Sequence, residues 1–353
     1  MTTDACAARR LVLPIRLGID PMERLLVASF KGDPEFEALE PQVFDDERNG
    51  RGMRVLRYRH DGRVDIYFQP GVRVDLERYT FGIGIGDLAE TNIDPCRFEI
   101  TGRGVQLEIG FVDAQGRRVE LRVQEQADGK QGFSMLAPVG GDVIKPKQLF
   151  LVQMPSIDLV QRRGATFEGR IGDRALRPST LPIPLRGHAV WFTRYAERPV
   201  IATLNPPADA PLLAEFAGAG TIEIEGSRVT LDANGDVARI AATADARRAD
   251  LVFAPPFPNL EGLGAPDTRH GQWSISLNDA VITGGLYRVQ RRDQRLEVEL
   301  DVTRPWVPAN MPWAMTIFVW LVPSFRNWPA TYRWHGVVEF GATISLRGHW
   351  NRK

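Results

Sequence analysis

The chain has 353 residues and carries 44 basic residues (Lys and Arg) against 44 acidic ones (Asp and Glu), which gives a formal net charge of zero. A chain of this length forms one large domain or two ordinary ones, and two is the commoner arrangement. Without net charge the protein has no overall field to hold nucleic acid or an anionic membrane, so we expect no nucleic-acid partner and no peripheral membrane contact.

The compartment is predicted from the cysteines and the apolar segments. Cys6 and Cys96 are too few for a disulfide framework, and the sequence shows no charged segment followed by an apolar one and a small-residue cleavage site. The most apolar stretch, Met311–Phe325, is shorter than the roughly 18 to 20 residues of a membrane-spanning helix and contains two prolines. We therefore expect a cytoplasmic protein.

Along the chain, apolar and polar residues alternate between Gly, Asp and Asn breaks, which predicts antiparallel strands far more often than helices. Helical spacing is limited to PMERLLVASF (Pro21–Phe30) and APLLAEFAG (Ala210–Gly218). The predicted hairpins, in chain order, lie at Met53–Phe68, Val105–Gln126, Thr221–Thr243 and Leu286–Val302. The pattern predicts an all-β protein of antiparallel barrels or sandwiches with few short helices.

Several short matches recur in the same order in the two halves of the chain, as expected for a diverged tandem duplication. The pairs are DIYFQP (from Asp65) with DLVFAP (from Asp250), FEI (Phe98) with WSI (Trp273), VEL (Val119) with VEL (Val298), FLVQMPS (Phe150) with FVWLVPS (Phe318), FEG (Phe167) with WHG (Trp334), and LRGH (Leu185) with LRGH (Leu346). Convergent β-patterning is the alternative. Duplication predicts an N-terminal segment (1–23), a first β-domain (24–190) and a second, Trp-rich β-domain (191–353).

The paired segments FEG…LRGHAVW and WHG…LRGHW, together with the total length, carry a resemblance to a known family. The chain resembles the tandem lipocalin-like proteins of the carotenoid 1,2-hydratase (hydroxyneurosporene synthase) and AttH type, over most of its length but only in architecture. The resemblance implies two lipocalin-like domains and an apolar isoprenoid-like or polyketide-like ligand, bound inside one domain or between the two. Some relatives are cyclases. The resemblance assigns no functional residue.

Motifs of cofactor and metal sites are missing from the sequence. The glycines of GIGIG (82–86) lack the spacing of a dinucleotide fingerprint and indicate a glycine-kinked strand. There is no Walker loop, no G-x-S-x-G and no H-E-x-x-H, and five histidines without paired cysteines argue against a metal site. We therefore expect no cofactor and no metal.

Tryptophan is unevenly distributed, because all but one of the 8 tryptophans follow residue 270. The segment WAMTIFVWLV (Trp313–Val322) is predicted as a strand that is apolar on both faces. Three arrangements would cover both faces of this strand: core packing on one side with an inter-domain contact on the other, an aromatic ligand cavity, or contact with a membrane surface. The candidate ligand-contacting residues are Trp273, Trp313, Met315, Phe318, Trp320, Arg333 and Trp334.

The adjacent segment YRWHGVVEF (332–340) contains the candidate catalytic residues. Period-2 alternation places Arg333, His335 and Glu339 on one face of a strand. At the wall of an apolar cavity such groups shift one another's pKa values enough for acid–base work, which makes His335 and Glu339 the predicted acid–base pair. The alternative is a solvent-facing charged stripe on an antiparallel strand.

Together these features predict a cofactor-independent hydratase or cyclase, of the lyase or isomerase type. It would protonate a double bond of an apolar substrate in an aromatic cavity and then add water or close a ring by general acid catalysis. A non-catalytic carrier of a hydrophobic small molecule is the first alternative, and a β-scaffold that binds a protein partner is the second. Fold class does not separate the three, and the sequence indicates no oligomeric state.

Overall fold

Strand dominates the computed structural model of the protein, which describes residues 8–76, 82–139, 143–308 and 310–353. Strands make up 60% and helices 5%, which confirms an all-β protein with few helices. The hairpins predicted at 53–68, 105–126, 221–243 and 286–302 are all formed, because the described strands pair antiparallel across those turns.

The strands of the first half, in chain order, are β1 (Arg9–Leu13), β2 (Leu17–Pro21), β3 (Arg24–Ser29), β4 (Phe36–Asp46), β5 (Gly50–Arg59), β6 (Val64–Phe68), β7 (Ile85–Glu90), β8 (Cys96–Thr101), β9 (Gly104–Val112), β10 (Arg118–Glu125), β11 (Phe133–Ala137), β12 (Leu149–Gln161), β13 (Ala165–Ile171) and β14 (Arg174–Ala175). The second half contains β15 (Val190–Glu197), β16 (Val200–Leu204), β17 (Leu212–Phe216), β18 (Gly220–Ile224), β19 (Ser227–Leu231), β20 (Val237–Ala244), β21 (Arg247–Phe257), β22 (Thr268–Leu277), β23 (Ala280–Arg292), β24 (Arg295–Arg304), β25 (Tyr332–Phe340) and β26 (Ile344–Arg352). The helices are α1 (Trp313–Leu321) and α2 (Pro323–Arg326), with a 3-10 turn at Leu260–Gly262.

These strands form three sheets and one isolated pair. The ten-stranded sheet has the order β2-β16-β12-β15-β3-β4-β5-β6-β7, with β11 paired to β12. The five-stranded sheet has the order β14-β13-β10-β9-β8, and the nine-stranded sheet is a meander from β18 to β26 in chain order. The remaining pair joins β1 to β17.

None of the sheets closes on itself among the described strands, so the tandem lipocalin-like barrel arrangement is not confirmed. Strands β15 and β16, which follow residue 189, belong to the ten-stranded sheet together with β2 and β3. The nine-stranded sheet begins only at Gly220. The division of the chain into domains at residue 190 stays a prediction.

The ten-stranded sheet is covered on both faces. Leu26, Leu39 and Val55 point to one face and pack in a core with Leu107 and Leu121 of the five-stranded sheet. The residues that alternate with them on the same strands point to the opposite face. That opposite face is the one that positions the candidate site.

The two segments with helical spacing are strands, so that expectation was wrong. Pro21–Phe30 contains β3, which lies between β15 and β4 in the ten-stranded sheet. A strand buried on both faces lacks polar alternation and gives a near-continuous apolar run, which at this length cannot be told from a helix. Ala210–Gly218 contains β17, whose partner β1 lies about two hundred positions away in sequence and gives no local signal.

The predicted strand at Trp313–Val322 is helix α1, which corrects the second expectation. Pro312 immediately precedes the first helical residue and Pro323 begins α2, positions where proline fits a helix start because no backbone N–H is needed there. A segment that is apolar at every position has no period, so its sequence does not distinguish the two structures.

The two LRGH segments differ in conformation. In the first, the backbones of Leu185 and His188 exchange two 2.9 Å hydrogen bonds across a turn with positive φ at Arg186 and Gly187. In the second, residues 346–349 are extended within β26. This last match is therefore one of sequence only, and the duplication stays a prediction.

Candidate functional site

A cavity of about 860 Å³ lies between the second face of the ten-stranded sheet and the segment that contains α1 and α2. Strands β3, β4, β5, β12 and β15 line it mostly with apolar side chains. On the other side it is lined by Met315, Phe318, Phe325, Trp328 and Tyr332. Small-molecule sites have volumes of roughly 300–1,000 Å³ and mostly apolar walls, so the cavity has the size and character of a ligand site.

Five polar side chains lie together on the sheet wall of this cavity, and we call them the cavity cluster: Glu40, Gln42, Arg54, Tyr58 and Arg194. Alternation along β4 and β5 turns the first four to the cavity side, and the register places Gln42 directly opposite Arg54. Arg194 reaches the same face from β15, on the far side of β3.

Hydrogen bonds converge on the carboxyl group of Glu40. The Tyr58 hydroxyl donates to Glu40 Oε2 at 2.7 Å, and Gln42 Nε2 donates to Glu40 Oε1 at 2.6 Å. Arg54 Nε donates in turn to Gln42 Oε1 at 2.8 Å. Each partner is a donor toward Glu40, so the carboxyl group is held in a fixed position on the wall.

Burial controls the acidity of the cluster. Removal of the Glu40 carboxyl from bulk water raises its pKa, despite opposing effects from the Tyr58 and Gln42 hydrogen bonds and from the charges of Arg194 and Arg54. The side chain of Glu40 keeps some accessible surface, and that surface borders the cavity. Burial also raises the pKa of Tyr58 well above its usual range, so this phenol stays protonated.

Arg194 is the second charged group whose acidity is altered by burial. Desolvation lowers its pKa, opposed by the nearby Glu40, and a guanidinium still remains protonated at neutral pH. Its Nη1 donates to Ser29 Oγ at 3.2 Å, and the guanidinium lies 4.6 Å from the centre of the Phe192 ring. The cluster therefore combines one carboxyl group with two guanidinium groups in an apolar cavity.

Comparisons of the chain with protein-family models, curated proteins and solved structures found no match. A function is therefore argued from the geometry of the site. Sequence reasoning missed every member of the cavity cluster, because polar residues that alternate with apolar ones along a strand are also the pattern of a solvent-facing strand. The one available signal was that Glu40 in β4 and Arg54 in β5 each lie between two apolar residues of the chain.

Of the predicted ligand-contacting residues, Met315 and Phe318 line the cavity. Trp313 and Trp320 lie on the outer face of α1, with 76% and 63% of their surface exposed. They do not line the cavity, because a helix turns them about half a turn away from Met315 and Phe318.

Trp273 and Trp334 are buried in the core around the nine-stranded sheet and do not line the cavity. Trp273 Nε1 donates to the carbonyl of Leu286 at 3.1 Å. A Cβ at Gly336 or Gly348 would overlap the ring of Trp334, so the glycines of WHG and of the second LRGH provide the space for this indole.

Arg333, His335 and Glu339 share the partly exposed face of β25, and none of them lines the cavity. Arg333 forms an ion pair with Asp301 at 3.1 Å, and Glu339 lies 3.9 Å from a guanidinium of the neighbouring strand. The His335 ring faces that of His349 at 5.8 Å between centroids. This geometry matches a charged stripe on a sheet; a catalytic role for His335 and Glu339 stays a prediction.

A second buried charged group surrounds Arg57 in the core between the ten- and five-stranded sheets. Arg57 is fully buried and forms ion pairs with Asp65 at 2.8 Å and Asp113 at 3.0 Å, while its Nη2 donates to the Tyr67 hydroxyl. Arg117 also forms an ion pair with Asp113 at 2.9 Å; burial acts to raise the pKa of that carboxyl, but hydrogen bonds from Arg117 and Arg57 lower it overall. Because these groups satisfy one another away from the cavity, they act as a structural link between the sheets.

In the described parts of the chain, no three His, Cys, Asp or Glu side chains are grouped so that they would hold a metal ion. Cys96 is an exposed free thiol, and Cys6 lies outside the described residues. Neither of the described helices has the length and apolar character needed to cross a bilayer.

Proposed function

We propose that the protein binds an apolar small molecule in the cavity and converts it by proton transfer from Glu40, as a cofactor-independent cyclase or hydratase. The observation that carries the proposal is the carboxyl group of Glu40, held by two hydrogen bonds on the wall of an 860 Å³ apolar cavity. Burial raises the pKa of this carboxyl, so it keeps its proton to higher pH than a free glutamate does, as a general acid must.

The arginines favour one kind of chemistry over another. After Glu40 gives up its proton, the cluster consists of one carboxylate and two guanidinium groups, with one net positive charge. A carbocation about 5 Å from a guanidinium would be destabilised by roughly 3 kcal/mol at an effective dielectric constant of 20. A carbonyl oxygen that gains negative charge would be stabilised instead. The cluster therefore fits an oxygen-bearing, polyketide-like substrate better than a pure hydrocarbon isoprenoid.

The atoms and protons of the proposed reaction balance without a cofactor. Glu40 transfers its proton to the carbonyl oxygen of a conjugated substrate while a new bond forms at the distant end of the conjugated system. If a carbon of the same molecule forms that bond, a ring closes; if water does, a hydroxyl group is added. The substrate then returns a proton to the Glu40 carboxylate. Ring closure leaves the molecular formula unchanged, and hydration adds one water.

Tyr58, Arg54 and Arg194 support this step without changing covalently. Tyr58 remains protonated and holds Glu40 by its 2.7 Å hydrogen bond. Arg54 orients Gln42, which holds the other carboxyl oxygen. Preorganised donors of this kind lower the barrier because they need not reorient as charge develops.

The experiment begins with native mass spectrometry of protein purified from its producing host, which identifies a co-purified apolar molecule. The protein and a Glu40→Gln variant are then incubated with that molecule and with its extracted precursors. We expect the protein to form a product of equal mass or of one water more, and the variant to be slower by about 10²- to 10⁴-fold. Glu120→Gln is the matched control, because Glu120 is exposed on the five-stranded sheet. Equal rates for Glu40→Gln and the protein would refute the acid assignment.

A carrier is the second candidate, favoured by the two guanidinium groups of the cavity cluster, Arg54 and Arg194. Such a wall suits the carboxylate of a fatty-acid-like ligand. The probe is cis-parinaric acid, whose fluorescence rises in an apolar site, with its methyl ester as control. A carrier would bind the acid more tightly than the ester, would lose that preference in Arg194→Met, and would release the probe unchanged.

A further inference from the structure

Helix α1 has two apolar faces, and only one of them is covered. Met315, Phe318 and Val319 face the cavity and the core. The opposite face consists of residues spaced by four, three and one along the helix, which lie on one side of it. These residues, exposed over 46–76% of their surface, are Trp313, Ile317, Trp320 and Leu321.

Two further exposed apolar side chains lie outside the helix. Val307, shortly before α1, is 70% exposed, and Ile144 is 68% exposed. Ile144 lies between Val143 and Pro146, which both line the cavity. Large exposed apolar side chains that cluster on one side of a protein mark a contact surface rather than ordinary solvent-facing sequence.

The charged residues of the chain segment that contains α1 are all of one sign. The chain contains no Asp or Glu between Asp301 and Glu339, and the same interval carries the exposed Arg304 and Arg326. A segment without carboxylates, whose exposed cations flank the apolar residues of α1, is complementary to the anionic head groups of a bilayer.

We propose that the outer face of α1 docks on the surface of an anionic lipid bilayer, with Trp313 and Trp320 at the level of the head groups. Tryptophan is enriched at that depth in membrane proteins, because its ring is apolar and its N–H finds a polar partner there. A protein partner would not specifically require the absence of carboxylates. Docking would bring the cavity within one helix diameter of the lipid in which apolar molecules dissolve.

Overall charge had argued against such contact, since the whole chain is neutral. Local charge decides here, because screening limits electrostatic attraction to about 8 Å at physiological salt. The proposal is independent of the chemistry in the cavity: a hydratase, a cyclase and a carrier would all present the same helix to the membrane.

The test is vesicle flotation of the full chain without any cavity ligand. Vesicles of phosphatidylcholine alone are compared with vesicles containing 30% phosphatidylglycerol in about 100 mM salt. The variant is Trp313→Ala with Trp320→Ala, and the matched control is Val252→Ala with Leu286→Ala, which removes exposed apolar side chains from the nine-stranded sheet. Vesicles with brominated lipid report whether tryptophan enters the bilayer, since bromine quenches indole fluorescence.

We expect the protein and the control to float with the vesicles, more strongly on the anionic ones, and brominated lipid to quench part of their fluorescence. The double tryptophan variant should bind at least about tenfold more weakly and lose the quenching, because it removes two large apolar side chains from the contact. Unchanged vesicle binding of that variant, or no binding by the protein, would overturn the proposal. So would a dimer that dissociates in the tryptophan variant during sedimentation, because a second copy of the chain would then cover the face.

Discussion

Replacement of Glu40 by Gln should lower activity and raise stability at neutral pH, two effects of opposite sign from one change. Glutamine keeps the size of the side chain and can still accept one of the two hydrogen bonds, but it cannot supply a proton. Activity should therefore fall by about 10²- to 10⁴-fold. The stability effect follows from the raised pKa of Glu40 in the folded protein.

The sign of that effect is fixed by linkage. In the unfolded chain the carboxyl titrates near 4.5, and in the folded protein it holds its proton to higher pH. The stabilisation from Glu40 is therefore complete below the unfolded pKa and is lost as pH rises through the folded pKa. Within this window the free energy of unfolding of the protein should fall, relative to the Glu40→Gln variant, by up to about 1.4 kcal/mol per pH unit.

The assay is urea unfolding of both proteins, followed by tryptophan fluorescence, at intervals from about pH 4.5 to pH 8. All other titrating groups are shared, so they cancel in the difference between the two curves. Glu120→Gln, which removes a partly exposed carboxyl outside the cavity, is the control for loss of a carboxyl elsewhere in the chain. A difference between the protein and Glu40→Gln that stays constant over this range would refute the reasoning, because Glu40 would then titrate as in the unfolded chain.

Three further predictions concern the site and its surroundings. Tyr58→Phe removes a hydrogen bond that lowers the pKa of the cavity carboxyl, so the alkaline limb of the pH–rate profile should move to higher pH. His335→Ala combined with Glu339→Ala should leave turnover within about twofold. A tenfold loss would instead indicate that these residues of β25 take part in catalysis. In urea unfolding, Arg57→Leu should cost about 3–5 kcal/mol because it leaves buried carboxylates uncompensated, whereas Arg333→Leu at an exposed ion pair should cost about 0–1 kcal/mol; equal costs would contradict the structural role of the buried cluster.

The hairpins were predictable from sequence because the turn residues and the alternation in the two flanking strands are both local signals. In Met53–Phe68 an Asp-Gly pair lies between two alternating runs, and β5 and β6 pair across it as the pattern indicates. The same holds for β23 and β24. Where the partner was distant or the segment was uniformly apolar, as in β17 and α1, no local period existed and the prediction failed.

The cavity was not predictable for a different reason. Glu40 and Tyr58 occupy the polar positions of alternating strands, which normally face water. They face a cavity instead because residues near 315–332, roughly 275 positions later in the chain, lie over that side of the sheet. Only the tertiary arrangement changes the surroundings of these side chains from water to an apolar cavity.

The repeated matches have mixed structural outcomes. Asp65 and Asp250, at the start of the DIYF and DLVF strands, each form an ion pair with an arginine of the preceding strand. In FEG and WHG the aromatic ring packs against the position where the glycine two residues later lacks a Cβ. These shared local features favour duplication, whereas the turn at the first LRGH has no counterpart in the second.

The strands that form the cavity wall are synthesised well before the helices that cover them. The last residue of the sheet wall that lines the cavity is Ile201 in β16, and the cover begins at α1. Roughly 110 residues lie between them, which at about 5–20 residues per second corresponds to a delay on the order of 10 s. During that interval the ribosome holds a nascent chain whose apolar wall has no cover. The growing protein thus presents an open binding surface to chaperones and to apolar metabolites before its own C-terminal segment reaches it.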